Sequence, residues 1–328
     1  MIKLKIFSAC AVLVLAMGPI AREFAHQKEK IEAFFSRDGR VLGEARKRIY
    51  PLSEKQTLKG PYLGQKLPGK TPAIFAPGIV STEEYREFSG TFTPDGKEYY
   101  FFRFADGQGM MVCKLLEEGW TAPKTAIFNT EYIDNEPHIT PDGKIMFFNS
   151  NRPFPGSVGE RRHTQIWFME RAEDGWGEPK HLCEGMFATS SRNGNIYLNS
   201  GVTKLANGKF ESFREIKGAL NAPPDGWKRG NHSSIAPDES FLIYDSQRSG
   251  SEWDSEENLF ICFRMEDGTW SRSFDLGSRL NLPGGKMLAT ISSDSKYLFF
   301  CNRGDICWVD AKIIEEIKPE ELKLRRKK

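Results

Sequence analysis

This chain contains five copies of a short turn motif. Acidic and imidazole side chains lie in segments that lead into these copies. Proton transfer needs an acid and a base positioned together, and these lead-in segments hold the candidates for both. The candidate catalytic residues are Glu87, Asp134, Glu136 and His232. Charge and hydrogen bonding could also hold a ligand at the same place. The candidate binding residues are Arg86, Asn135, Glu136, His138, Arg229, Asn231 and His232.

A metal ion is one chemistry that these residues allow. His138, His232 and Glu136 carry donors that zinc accepts, although no Cys or His pair has the spacing of a zinc motif. The alternative is that His138 is hydrogen-bonded within a packed strand and that the other polar residues line a solvated opening. We therefore predict no metal and no cofactor, and ligand binding rather than catalysis.

The motif that follows these residues is a turn. Thr93 to Lys97 reads TPDGK, and the same five letters return from Thr140 to Lys144. Proline presets its φ angle, aspartate hydrogen-bonds the backbone ahead of it, and glycine supplies a positive φ. Apolar strands follow both copies, at residues 99–102 and 146–148. The repeated aspartate is thus predicted to be architectural and not catalytic.

The spacing of the copies predicts the fold. The aligned residues are 45 to 56 positions apart and are Asp95, Asp142, Asn193, Asp238 and Asp294. Each copy contains strand-forming segments separated by tight turns. Four antiparallel strands in a repeat of this length are typical of a β-propeller blade. We predict an all-β propeller of five blades, or of six if residues 219–230 hold a degenerate blade.

The two ends of the repeat array complement each other. The fifth copy stops after DICWVD without a fourth strand, and the chain turns helical. The segment Thr71–Pro77 resembles the fourth strands of the later copies but precedes the first full blade. We expect it to complete the last blade, which would close the ring and leave no exposed sheet edge.

These repeats resemble a known family over residues 62–319. TPDGKIMFFNSNR followed by QIWFMERAEDGWGEP is similar to the WD-repeat-like, PD-type propeller repeats of TolB-like exported proteins. The resemblance implies a binding or scaffold module for a protein or a cell-envelope glycan. Similar repeats also occur in oligogalacturonate lyases. The alternative is therefore a polysaccharide lyase or glycoside hydrolase acting at the mouth of the channel.

The N-terminus indicates export. Lys3 and Lys5 precede an apolar run from Ile6 to Met17, which suits a signal peptide and is too short to span a bilayer. We divide the chain into a signal peptide or anchor (1–21), a charged and partly helical spacer (22–61), the propeller (62–311) and a C-terminal helix with a basic tail (312–328). The expected location is periplasmic or secreted, with no membrane span beyond a possible N-terminal anchor.

Charge and cysteine content narrow the partners. The 46 basic and 44 acidic residues give a net charge of +2, so the chain has no strong positive field that would attract nucleic acid. We expect a monomer. Cys301 and Cys307 flank Gly304 symmetrically and could face each other across a hairpin. The sequence leaves open whether they form a disulfide, whose geometry is demanding.

Overall fold

In the part of the chain that the computed structural model describes, twenty-two β-strands form five antiparallel sheets. The described residues are 58–104, 109–126, 132–157, 165–198, 201–206, 209–216, 223–228, 230–251, 256–280, 282–320 and 322. The predicted signal segment (1–21), most of the predicted spacer and the basic end of the chain lie outside them. No helix among the described residues has the length and apolar character needed to cross a membrane.

The first two blades have the fullest sheets. Their strands follow β1 (Ala73–Ile74) in the chain. Blade 1 contains β2 (Arg86–Phe92), β3 (Glu98–Phe104), β4 (Gly109–Leu116), β5 (Gly119–Trp120) and β6 (Lys124–Thr125). Blade 2 contains β7 (Asp134–Ile139), β8 (Ile145–Ser150), β9 (Gln165–Ala172), β10 (Gly175–Trp176) and β11 (Lys180–Glu184). In each, two short segments share the fourth position, because both pair with the third strand.

The other three blades are four-stranded. Blade 3 contains β12 (Thr189–Ser190), β13 (Asn195–Leu198), β14 (Gly201–Ala206) and β15 (Lys209–Phe210). Blade 4 contains β16 (Asn231–Ile235), β17 (Phe241–Gln247), β18 (Glu257–Phe263) and β19 (Phe274–Asp275). Blade 5 contains β20 (Lys286–Ile291), β21 (Tyr297–Asn302), β22 (Asp305–Asp310) and β1. The predicted five-bladed propeller is confirmed.

Within the described ranges, three short helices flank the strands. A 3₁₀-helix spans Tyr62–Gly64, α1 spans Gly277–Leu280 between blades 4 and 5, and α2 spans Ile313–Ile317 after the last blade. Ile313 and Ile314 of α2 are buried against blades 4 and 5.

The ring is closed by β1, as the sequence predicted. Ala73 pairs with Trp308 and Ile74 with Cys307, and the Phe75 N–H donates to the Ile306 carbonyl at 2.8 Å. Phe75 is fully buried, with its ring 5.1 Å from that of Trp308. Burying a phenylalanine side chain contributes about 1.5–3 kcal/mol, so this short strand locks blade 5 by packing as well as by hydrogen bonds.

The core lies between the blades. Alternate residues of a strand face opposite sides, so Tyr99 and Phe101 of β3 pack toward blade 5 while Tyr100 packs toward blade 2. Equivalent clusters fill each of the other interfaces around the ring. The first strand of each blade, here called the inner strand, contacts the inner strands of its neighbours. The inner strands therefore surround a central channel.

The TPDGK motifs form the turns between the first and second strands, which confirms their architectural role. The Asp142 Oδ1 accepts hydrogen bonds from the Thr140 hydroxyl at 2.6 Å and the Lys144 N–H at 3.1 Å. The residue after it, Gly143, has a φ of 75°. Where glycine is lacking, Glu239 and Ser295 adopt the same left-handed conformation, with φ of 59° and 61°.

The possible disulfide between Cys301 and Cys307 is not formed. Neither cysteine is in a disulfide, and both are buried. The β21–β22 hairpin turns through Arg303 and Gly304, so Asn302 pairs with Asp305 and Cys301 with Ile306. Cys307 pairs instead with Phe300. The two thiols therefore lie on opposite faces of the sheet.

Candidate functional site

Each blade is distorted at the same position of its inner strand, or of the segment just before it in blade 3, six residues before the turn aspartate or asparagine. The residues at this position, called the bulge ring below, are Ser89, Glu136, Phe187, His232 and Leu288. Their φ angles are 40°, 53°, 51°, 38° and 54°, which lie in the left-handed region although none is glycine. In four of the five blades the strand register shifts here, the mark of a β-bulge. Bulges re-aim side chains and are common next to functional sites.

Two members of the bulge ring meet across the channel. The Nε2 of His232 lies 3.8 Å from Oε1 of Glu136. Blades 2 and 4 are not neighbours, so this contact is made through the centre of the ring. The Nδ1 of His232 lies 2.8 Å from Oδ2 and 3.0 Å from Oδ1 of Asp245. The imidazole thus stands between two carboxylates.

The charge state follows from this arrangement. Burial alone would lower the pKa of His232, but the charge and hydrogen bond of Asp245, together with the charge of Glu136, raise it to about 9. His232 is therefore an imidazolium at neutral pH, hydrogen-bonded through Nδ1 to Asp245 and within ion-pair distance of Glu136 through Nε2. Burial raises the pKa of Glu136, against the opposing effect of the His232 charge.

Two residues of the returning strands hold this network, and sequence reasoning missed both. Asn149 donates to Oε2 of Glu136 at 2.6 Å, and its Oδ1 accepts the Phe187 N–H at 3.2 Å. Asp245 binds His232 and also accepts the Leu288 N–H at 2.8 Å. Each side chain thus reaches the bulge of the next blade. The available signal was a polar residue within the apolar segments IMFFNS and FLIYDS.

Apolar side chains pack beside this network at the channel mouth, the end at which the inner strands begin. Phe187, Leu288 and Cys301 are buried there, with Phe88, Met186 and Met287 packed around them. The Phe187 ring meets the His232 ring edge to face, at 5.6 Å between centroids. The Ser89 hydroxyl, 3% exposed as a residue, has no hydrogen-bond partner in the described structure. The mouth therefore combines a charged network, an apolar wall and an unused hydroxyl.

The other two candidate carboxylates are held in ion pairs. The Arg103 Nε lies 2.9 Å from Glu87 Oε1, and the Arg152 Nη2 lies 2.6 Å from Asp134 Oδ2. Burial raises the pKa of Glu87 to about 7 against the charge of Arg103, and it raises that of Asp134 against the charge of Arg152. Both arginines also stack on aromatic rings of the same blade, which fits a structural role.

His138 is separate from the network. Its Nε2 accepts the Ser190 N–H at 2.9 Å, and burial lowers its pKa to about 4, so the ring is neutral. It lines a cavity of about 30 Å³ further along the channel, which has room for one water molecule. The trio His138, His232 and Glu136, considered above for a metal, is therefore not assembled. The described residues contain no group of three or more side chains arranged to hold a metal ion.

The remaining candidates border the mouth. Asn135 and Asn231 precede the bulge residues and are half-buried, paired in register with Asn149 and Asp245. Arg86 begins β2 opposite Phe104 and is also half-buried. Arg229 lies outside the described residues.

Comparison with known proteins shows similarity only at the level of fold. No protein-family model matches the chain, and no curated protein is similar to it. Among solved structures, a TolB-type protein from Agrobacterium tumefaciens aligns with a TM-score of 0.39 and 16% identity, covering 66% of this chain and 69% of that one.

Two further structures have enzymatic names. A gluconolactonase from Xanthomonas campestris gives a TM-score of 0.41 at 11% identity, covering 75% of this chain and 97% of its own. An oligogalacturonate lyase in complex with manganese gives a TM-score of 0.36 at 15% identity, covering 77% of this chain and 89% of its own. Resemblance this remote reflects the propeller architecture, which hosts both binding proteins and enzymes, so function must be argued from the site.

Proposed function

We propose that this propeller is a binding module and that its site is the channel mouth around Glu136 and His232. The observation that carries the proposal is the imidazolium of His232 standing between Asp245 and Glu136, beside an apolar wall and the Ser89 hydroxyl. Such a surface offers hydrogen bonds of both kinds together with an apolar contact. Small-ligand sites are typically built in this way.

The narrowness of the site favours a small polar group as ligand. The side chains of Glu136 and His232 are only 11% and 8% exposed. A flat protein surface would not reach them, so the ligand that we propose is a sugar unit of a cell-envelope glycan. The predicted signal peptide and the resemblance to TolB-like exported proteins agree with a ligand in the envelope.

Catalysis by an enzyme of the glycosidase kind is the second candidate. Its support is that Glu136, His232 and Asp245 converge, as general acid–base chemistry requires. A glycosidase, however, places the scissile bond between two carboxylates separated by roughly 5–9 Å. Here the imidazole itself lies between the two, and Glu87 and Asp134 are held by arginines. The geometry therefore favours binding.

The test is binding to an array of envelope oligosaccharides by the wild-type chain and by Glu136→Gln and His232→Asn. Loss of at least one hydrogen bond to a charged group costs about 1.5–3 kcal/mol, so each variant should bind its sugar roughly tenfold more weakly or worse. Glu170→Gln is the matched control, because Glu170 is an exposed carboxylate on β9 paired with Lys180. It should bind as the wild type does.

Two outcomes would overturn the proposal. One is unaltered sugar binding by Glu136→Gln, or no sugar binding by any form of the chain. The other is cleavage of an oligosaccharide, detected by mass spectrometry, that both variants lose while Glu170→Gln retains it. The second outcome would establish the enzyme in place of the binding module.

We also propose that the chain is exported. The support is the basic and apolar character of residues 1–21. Fractionation of expressing cells, with intact mass measured on the recovered chain, should find the protein outside the cytoplasm and shortened by its signal segment. Recovery of the full-length chain from the cytoplasm alone would contradict export.

A further inference from the structure

A second concave site lies on the same face as the channel mouth, in a groove of about 630 Å³ between blades 4 and 5. Its walls come from the segment before β16, from the beginning of β18, from α1 and from the loop that leads into β20. The volume is within the range of small-molecule sites, roughly 300–1,000 Å³. Neither the repeat pattern nor the network at the channel mouth accounts for this groove.

Lys286 is the unusual residue in this groove. Only 7% of its surface is exposed, and its ammonium donates one hydrogen bond, to the Gly284 carbonyl at 3.1 Å. It forms no ion pair with a carboxylate among the described residues. An ammonium group has three donors, and burying it without a counter-ion is costly. Burial accordingly lowers the pKa of Lys286, with a smaller lowering from Arg303 and an opposing effect of Asp275.

The equivalent positions of other blades show what is missing. Lys286 aligns with Glu87 and Asp134, eight residues before the turn aspartate. Those carboxylates are each neutralised by an arginine of the same blade. The residue paired with Lys286 is Asn302, whose amide donates to the carbonyls of Pro283 and Gly285. Blade 5 thus places a buried cation without an ion pair among the described residues where blades 1 and 2 place ion pairs.

Two carboxylates near the groove are engaged elsewhere, and a third lines it. Asp275 accepts hydrogen bonds from the Asn258 amide at 2.8 Å and from the Ser278 N–H at 2.9 Å. Glu256 pairs with Arg248 at 3.5 Å on the exposed rim. Glu257 also lines the groove, and its charge contributes to the raised pKa of His232. Lys286 thus keeps two of its three N–H donors for a ligand in the groove.

An aromatic surface lies in the same groove. Trp227 is half-buried, with one edge anchored against Phe260 at 5.0 Å between ring centroids. Tryptophan offers a broad apolar face to a ring-shaped ligand. Arg248 lies at the rim of the groove, paired with Glu256.

We infer that this groove binds a small organic anion, with the carboxylate held by Lys286 and a ring laid against Trp227. The site is separate from the channel mouth, and the inference does not rest on the function proposed there. The chemistry is shared by aromatic acids and sugar acids, which differ in the ring they present to the indole.

Isothermal titration with two matched pairs of probes tests the inference: benzoate against benzyl alcohol, and glucuronate against glucose. At least one acid should bind tenfold or more tightly than its neutral partner, and the pair that responds identifies the kind of ring. Lys286→Met should weaken that binding at least tenfold. Trp227→Phe should weaken it several-fold and should remove part of the ligand-induced change in tryptophan fluorescence.

Stability separates loss of the site from loss of the fold. Lys286→Met removes a desolvated charge, so this variant should melt no lower than the wild type. Lys296→Met is the matched control, since Lys296 is exposed and paired with Asp294 at a turn. This control should bind the acid normally. Equal binding of acid and neutral partner, no binding of either acid, or wild-type affinity in Lys286→Met would each overturn the inference.

Discussion

The two ends of the inner strands contrast sharply. At one end, the turn positions carry almost the same residue in every blade: Asp95, Asp142, Asn193, Asp238 and Asp294. At the other end, the bulge ring has one backbone conformation with five different side chains, a hydroxyl, a carboxylate, a phenyl ring, an imidazole and an isobutyl group. Both ends use left-handed residues, so the backbone is equally constrained at each.

This difference indicates which end carries function. A side chain that is the same in all blades serves what all blades share, the turn between their first two strands. Side chains that differ from blade to blade serve something that happens only once, at the centre of the ring. The constancy of the turn aspartate is therefore a sign of architecture, and the diversity of the bulge ring is a sign of a site.

The largest effect should come from Asp245→Ala. This change leaves the His232 imidazolium without its nearest carboxylate and the Leu288 N–H without its acceptor. Breaking a buried ion pair on one side costs about 3–5 kcal/mol, which urea unfolding would measure. Asp245→Asn retains an acceptor for the Leu288 N–H and should lower the free energy of unfolding by less. A loss for Asp245→Ala no larger than that of a turn aspartate would contradict the comparison.

The next effect is a dependence on pH that arises from His232 at the channel mouth. The folded pKa of His232 is raised to about 9 from an ordinary value of about 6.5. Its stabilising contribution is therefore complete below pH 6.5 and is lost as the pH rises through 9, amounting to roughly 3 kcal/mol. The difference in unfolding free energy between wild type and His232→Gln should accordingly shrink from pH 6 to pH 10. A difference that stays constant over this range would refute the assignment of the imidazolium.

The sequence predicted the propeller well because its information is local. Each turn needs its aspartate and its left-handed residue, and these recur with the length of a blade. The closing strand β1 was recognisable because its sequence is similar to the fourth strands of other blades. The state of Cys301 and Cys307 was harder to predict. Their symmetry about Gly304 suggests a disulfide, whereas the two-residue turn shifts their pairing by one position, so they do not face each other.

The site could be predicted only in part. Alignment on the turn placed Glu136 and His232 at equivalent positions, yet only the closed ring decides which blades face each other across the channel. Asp245 was missed because a polar residue within FLIYDSQ has no neighbour in sequence that explains it. Its partners, His232 and the Leu288 N–H, are 13 and 43 residues away.

A smaller effect is expected at the turns. Asp142→Ala removes the hydrogen bonds that Oδ1 accepts from Thr140 and Lys144, on an exposed part of blade 2. Loss of a comparable side-chain cap costs about 1 kcal/mol, and thermal unfolding would detect it. Ligand binding at the channel mouth should be unchanged. Weakened sugar binding in this variant would show that the turn residues take part in the site after all.

The smallest effect, and the finest test of the comparison, concerns two residues with nearly the same φ. Ser295 is exposed in its turn at 61°, and glycine adopts this conformation without the strain of a Cβ. Ser295→Gly should therefore raise the unfolding free energy by about 0.5–1 kcal/mol. Leu288 has a φ of 54° at the mouth, but its side chain is buried with Phe187 and Cys301. Leu288→Gly relieves the same strain and should nevertheless destabilise the fold by more than about 2 kcal/mol, since a cavity replaces the side chain. Opposite signs at matched backbone geometry would mean that the turn residues matter for conformation and the bulge residues for what their side chains contact.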